Sequence, residues 1–196
     1  MSPYIKTLKA NLAASIEAKQ LMMTRESDLE IFGAAVTMLV DKYRNGGRLY
    51  IAGNGGSAAD AQHLAAEFVA KLARPRAPLA AEALTVDTST LTAIGNDFGF
   101  DELFARQLEG KATTKDAFLA LTTSGQSRNI VRALEVCKEL KIPSIVFSGR
   151  NGGIVRELAD YCIIGAGTET SQIQEVHMVL YHTLCGCVEA ELFPSL

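Results

Sequence analysis

Short β-rich runs that alternate with helix-length stretches constrain this chain more than any other feature. RLYIAG (48–53), EALTVD (82–87), DAFLALT (116–122), PSIVFSG (143–149) and YCIIGA (161–166) are the β-rich runs. Helical patterning fills the intervals at 57–73, at 89–95 with 101–110, at 127–140 and at 152–159, and a last long helix is expected over 171–192. A helix between two strands carries the chain back to the starting edge, so successive strands run parallel and helices cover both faces of the sheet. The class implied is α/β. No linker, low-complexity tract or charge block divides the 196 residues, a length that suits one domain with a proper core.

Two helices precede the alternation. Ser2-Pro3 reads as an N-cap with proline at the first helical position, and Ile5, Leu8, Leu12 and Ile16 follow at helical spacing. Ser27 and Glu30 fit a capping box, Leu29, Phe32, Val36, Leu39 and Tyr43 form the next stripe, and Gly46-Gly47 stops it.

Charge and hydropathy exclude several classes. The net charge of −3 argues against a general nucleic-acid binder, which needs a basic face. No apolar run approaches the ~20 residues that span a bilayer, and the amphipathic first twenty residues lack a signal-peptide core. The expectation is a cytoplasmic protein with neither membrane nor nucleic acid as partner. Cys137, Cys162, Cys185 and Cys187 have no zinc-ribbon spacing and read as reduced, mostly buried thiols.

Two of the strand-to-helix junctions are small and polar: Asn54-Gly55-Gly56-Ser57 and Thr122-Thr123-Ser124-Gly125-Gln126-Ser127. Ligands of open parallel sheets bind beyond the carboxyl ends of the strands. Free N–H groups, hydroxyls and a helix N-terminus there suit a phosphate. The second turn has neither a P-loop lysine nor a dinucleotide-type glycine pattern, so a compact phosphate ester fits better than a nucleotide. Each turn also has a plain structural reading, with Ser57 and Ser127 as helix caps and the glycines as turn formers.

His63 and Glu67, four residues apart, share one helix face, a spacing that suits two ligands of one zinc, a base beside its partner, or a solvated surface pair. The last helix carries Gln174, His177 and His182 among apolar residues. Gln174 has a second reading as the closing member of a capping box begun by Ser171, and His177 as a hydrogen-bonded interior histidine. Gln174 and His182 are separated by ~12 Å of rise and ~80° of rotation, so helical geometry alone does not assign them to one site. Asn96 and Asp97 within GNDFGF (95–100) suit hydroxyls of a ligand or, equally, a cap or Asx-turn; the segment reads as a polar turn before a helix at 101.

Taken together, GNGGSAADAQHLAAEF, LTAIGNDFGFDELFARQ, TTSGQSRNI and IQEVHMVLYH resemble the sugar isomerase (SIS) domain family, over nearly the whole chain. Within it they are similar to the branch that converts sedoheptulose 7-phosphate to D-glycero-D-manno-heptose 7-phosphate, which opens the route to ADP- or GDP-activated heptoses for lipopolysaccharide core, capsule and related glycans. The resemblance implies a flavodoxin-like three-layer αβα sandwich on a five-stranded parallel sheet, as a single SIS domain over 1–196. Residues 1–46 would be the N-terminal helices used in oligomerisation, and 47–196 the core and C-terminal helix. It implies a homotetramer with active sites at subunit interfaces. One zinc per site would be held by His63, Glu67, Gln174 and His182. The sugar phosphate would meet Asn54, Gly55, Gly56, Ser57, Glu67, Asn96, Asp97, Thr122, Thr123, Ser124, Ser127 and Gln174, with Glu67 and His182 as the proton-transfer pair. Thr122 stands where serine is common, Lys71 where arginine is usual, and Ser171 and Gln172 where aspartate and arginine often occur.

The resemblance leaves two rivals. A non-enzymatic SIS protein that binds the replication initiator DnaA is close in sequence, but has Ser and Asn at the positions of Glu67 and His182. Sugar-phosphate-sensing regulators usually carry a further domain for which this chain has no room.

Overall fold

The computed structural model describes residues 2–194. Two long helices open the chain, α1 (Pro3–Met23) and α2 (Glu26–Arg44). The alternation follows as β1 (Leu49–Gly53), α3 (Gly56–Val69), β2 (Ala81–Ala83), α4 (Thr88–Asp97), a 3₁₀ turn at Phe100–Glu102 and α5 (Ala105–Lys111). It continues as β3 (Ala117–Leu121), α6 (Arg128–Leu140), β4 (Ser144–Ser148), α7 (Val155–Leu158), β5 (Tyr161–Ile164) and α8 (Thr170–Leu192). The five strands pair in the order β2-β1-β3-β4-β5, every pair parallel. This is the flavodoxin-like order, in which the chain reverses direction across the sheet between β1 and β3.

Strand residues alternate between two cores because successive side chains point to opposite faces. Leu49, Ile51, Leu119 and Phe147 pack under α2, α3 and α8, and Tyr50, Ala52, Phe118 and Val146 pack under α4, α5 and α6. Helix α1 lies outside the first layer. Its sequence stripe of Ile5, Leu8, Leu12 and Ile16 is largely exposed in the single chain, and only Ala18 and Met22 are buried.

Several boundaries differ from the sequence reading, each for a local reason. Ser27 and Glu30 form no capping box, because α2 already begins at Glu26. Its start is set by tertiary bonds: Arg25 Nη1 donates to the Ile164 carbonyl at 2.9 Å and Asp28 Oδ1 accepts the Ile164 amide at 2.9 Å. Strand β2 is three residues long, since Asp87 leaves the sheet to cap α4 by accepting the Thr90 amide at 3.0 Å. Helix α3 ends at Val69, four residues early. The helix expected over 152–159 shrinks to Val155–Leu158, because Gly152 (φ 90°) and Gly153 (φ 59°) hold the left-handed backbone that delays it. Asn96 and Asp97 close α4, followed by Gly99 and the 3₁₀ turn, so GNDFGF straddles a helix end.

Among the described residues no helix is long and apolar enough to cross a membrane. All four cysteines are free thiols; Cys137 and Cys185 are buried and Cys162 and Cys187 half-buried.

Gly125 anchors the connection between the β3 turn and the β4 turn. Its φ is 65°, and a Cβ there would sit 2.0 Å from the Gly152 carbonyl oxygen. A Gly125→Ala substitution is therefore expected to destabilise the fold by about 1–3 kcal/mol from backbone strain alone, with the clash added, read as a lowered midpoint in urea unfolding.

Candidate active site

The register Gly53↔Leu121 places the ends of β1 and β3 side by side, so the two polar turns leave the sheet next to each other. They are braced together. Asn54 Nδ2 donates to Asn129 Oδ1, and Asn129 Nδ2 to Asn54 Oδ1, both at 2.9 Å. Asn129 is buried on α6 and was not singled out in the sequence; its only signal was its place two residues beyond the second turn. Both atoms of the Asn54 side-chain amide are engaged in this pair, so Asn54 shapes the turn.

Ser57 does not cap α3: the helix starts at Gly56 with Gly55 at the N-cap, and Ser57 is buried in the first turn against Gly53. Ser127 does occupy the N-cap position of α6, yet its side chain makes no capping bond. In the second turn the Thr122 hydroxyl accepts the Gly125 amide at 3.2 Å, and Ser124 Oγ accepts the Gln126 amide at 3.2 Å. Thr122 is buried, while Thr123, Ser124 and Ser127 are half-buried and line the turn.

Helix α8 crosses the first of these turns and then α3. Its N-terminus is closed by a capping box of Glu169 with Gln172, not by Ser171 with Gln174. Gln172 thereby has a structural role, and Gln174 is released from one. The Gln174 amide lies against Gly56, where a Cβ would come within 2.6 Å of its Nε2.

Farther along, the two helices bring three ionisable side chains together. His63 Nε2 is 3.0 Å from Glu67 Oε1 and 3.3 Å from His182 Nε2. One ligand atom from each of the three lies within 4.8 Å of the others. Two imidazole nitrogens and a carboxylate oxygen so placed are a donor set suited to zinc. His63 is exposed, and Glu67 and His182 are half-buried, so the cluster opens to solvent on one side.

Asp60 and Tyr181 support this cluster and were missed in the sequence. Tyr181 is fully buried and donates its hydroxyl to Asp60 Oδ1 at 3.4 Å. Its ring meets that of His182 edge-on, with centroids 4.6 Å apart, and lies 5.8 Å from that of His63. Burial raises the Asp60 carboxyl above its usual range, against the Tyr181 hydrogen bond and the nearby His63 and His182. Burial also raises the Tyr181 hydroxyl, and Asp60 adds to it, so the phenol stays protonated as a donor. A signal was present: Asp60 is seven residues before Glu67, hence on nearly the same face of α3.

Asn96 and Asp97 are exposed at the end of α4, where Asn96 Nδ2 donates to Asp97 Oδ1 at 2.7 Å. His177 is interior, as one of its two readings had it: Nε2 donates to the Ser148 carbonyl at 2.7 Å. That bond fixes the proton on Nε2 and leaves the buried Nδ1 without a partner among the described residues.

A parallel αβα sandwich, two small polar turns at its switch point and an ionisable cluster between α3 and α8 mark an α/β protein that takes its ligand at the strand ends. The chain belongs to the SIS domain family, whose model matches residues 11–149. Its relatives place it in the phosphoheptose isomerase branch. It is 46% identical to phosphoheptose isomerase 2 of Campylobacter jejuni, covering 95% of this chain and 92% of that one. Identity to the phosphoheptose isomerase of Aneurinibacillus thermoaerophilus is 44%, over 98% of this chain and 96% of the other. The solved phosphoheptose isomerase GmhA of Neisseria gonorrhoeae is 36% identical and superposes with a TM-score of 0.89, over 95% of this chain and 99% of that one.

Burial lowers the pKa of His177 to about 4, against a raising contribution from its bond to Ser148, from an ordinary value of 6.5. The unfolded chain then binds the extra proton between those values, so stability falls as the pH drops from about 6.5 towards about 4. His177→Gln should flatten the pH dependence of the thermal midpoint in that window.

Proposed function

We propose that this protein is an aldose–ketose isomerase that converts sedoheptulose 7-phosphate to D-glycero-D-manno-heptose 7-phosphate. The convergence of His63, Glu67 and His182, two of them on the helix that the first polar turn opens, carries the reading. Ketose–aldose exchange moves a proton from C1 to C2 through an enediol, with a base over the carbons and an acid at the oxygens. Glu67 takes the C1 proton and returns it to C2, while His182 handles the proton at the oxygens. Thr122, Thr123, Ser124 and Ser127 hold the far phosphate, so that remote binding positions the reacting end. Asn54, Gly55, Gly56 and Gln174 line the sugar, with Asn96 and Asp97 reaching its hydroxyls.

His63, Glu67 and His182 are the residues that would hold one zinc, with Gln174, which in the single chain lies at Gly56 of the first turn, as the fourth ligand reached across a subunit interface; when bound, the ion would supply electrostatic stabilisation to the substrate oxygens. The exposed apolar stripe of α1 supports residues 1–46 as the oligomerisation helices of a homotetramer with sites at subunit interfaces. The free thiols are in keeping with the cytoplasm, and the product would feed nucleotide-activated heptose synthesis. The rival DnaA-binding reading is disfavoured, because Glu67 and His182 are both present and meet through His63.

The purified protein should isomerise sedoheptulose 7-phosphate in an NMR assay; an inert protein that instead binds DnaA tightly sinks the reading. In Glu67→Gln, exchange of the C1 proton with D₂O should slow by ~10²–10⁴-fold. Metal content and oligomeric mass are measured alongside, since a variant that keeps both and still exchanges at the wild-type rate removes Glu67 as the base. His63→Ala should lower zinc content by elemental analysis. Ser124→Ala should raise KM, with a loss of about 1.5–3 kcal/mol for a hydrogen bond to a charged group; an unchanged KM makes the turn structural.

A further inference from the structure

A second charged pair joins α3 to α8, and it lies outside the cluster just described. Arg76 follows α3 in the loop that leads to β2, and its side chain is 1% exposed; that of Glu189, on α8, is 8% exposed. Arg76 Nε donates to Glu189 Oε1 at 2.7 Å. The rest of the guanidinium grips the end of α3: Nη2 donates to the Glu67 carbonyl at 2.8 Å and Nη1 to the Phe68 carbonyl at 2.7 Å. Glu189 in turn accepts the Leu72 amide at 3.0 Å and the Ala73 amide at 3.4 Å. The ring of Phe193 covers the guanidinium at 5.8 Å.

The placement is specific to the site. Glu67 offers its carboxylate to the cluster and its carbonyl to Arg76. Glu189 lies seven residues beyond His182, two turns along and ~20° around the helix, so one face of α8 presents both. Arg76 thus ties the backbone under Glu67 to the helix that carries His182. A buried ion pair is weak evidence for stability, since apolar packing of the same volume often serves as well. A planar fork that fixes two helix-end carbonyls and a carboxylate together is a geometric device.

We propose that Arg76 and Glu189 are positioning residues for the reaction, a clamp that sets the approach of α3 to α8 and hence of His63 and Glu67 to His182. The effect on rate rests on the isomerase reading above; the effect on geometry does not. Lysine at 76 keeps the charge but lacks the fork, and glutamine at 189 keeps the shape but lacks the charge. These two are the working variants, and Arg76→Met is the severe one.

The test pairs steady-state kinetics on the sugar phosphate with crystal structures of wild type, Arg76→Lys and Glu189→Gln, and a urea unfolding curve for each. The expected result is a kcat lowered by about 10–100-fold, the usual consequence of removing a partner that orients the primary groups. KM should stay within about twofold, because the phosphate turns are untouched, and the His63–His182 separation should shift from 3.3 Å by more than the ~0.5 Å that a working site tolerates. A lower urea midpoint with unmoved rings and full kcat makes the pair structural and overturns the clamp. Moved rings with unchanged kcat overturn its link to the rate. If wild type is inert on the sugar phosphate, the isomerase reading fails while the ring separation still decides the clamp.

Discussion

The pairing of β1 with β3 is the constraint on which the rest of this structure depends. These strands are neighbours in space but separated in sequence by α3, β2, α4 and α5. Because α3 packs on one face and α6 on the other, the chain diverges where it leaves them, and a crevice opens between the two turns. Parallel pairing aligns the strand ends, so the first turn and the hydroxyl-bearing second turn leave the sheet side by side. The Asn54–Asn129 amide pair then fixes the turns to each other, with both partners satisfied by neutral hydrogen bonds.

Helix α8 supplies the other half of the site. It is apolar along the side that faces α2 and α3, where Val176, Leu180, Tyr181, Leu184 and Val188 are buried. That packing carries Gln174 to the first turn, His182 to His63, and Glu189 to Arg76. One long rigid element therefore sets three separate contacts with a single docking geometry. Burial of Tyr181 also aims its phenol at Asp60, which gives the cluster a floor that is neither solvent nor simple hydrocarbon.

The strands were legible in sequence because a fully buried parallel strand is a short apolar run between turn formers, and β1, β3, β4 and β5 agree with the runs read to within two residues at either end. Boundaries that tertiary bonds decide were not legible. The start of α2 depends on Arg25 and Asp28 reaching β5, and the end of α3 on a loop organised by Arg76 and Glu189. The cap of α8 was misplaced because serine is a preferred capping residue and glutamate is not, whereas here Glu169 holds the position through its reciprocal box with Gln172.

The sequence by itself determined the layered α/β class, the position of the two polar turns at strand ends, and the shared helix face of His63 and Glu67. Local periodicity and turn chemistry suffice for each of these. Local pattern did not bring His182, 119 residues from His63 in sequence, to meet it; the family resemblance implied the meeting, and helix docking produces it. The tertiary structure alone decided that Asn129, Asp60, Tyr181, Arg76 and Glu189 support the site. Their roles depend on which faces of separate elements meet, and that follows from strand order and helix docking, which spacing along a single element does not fix.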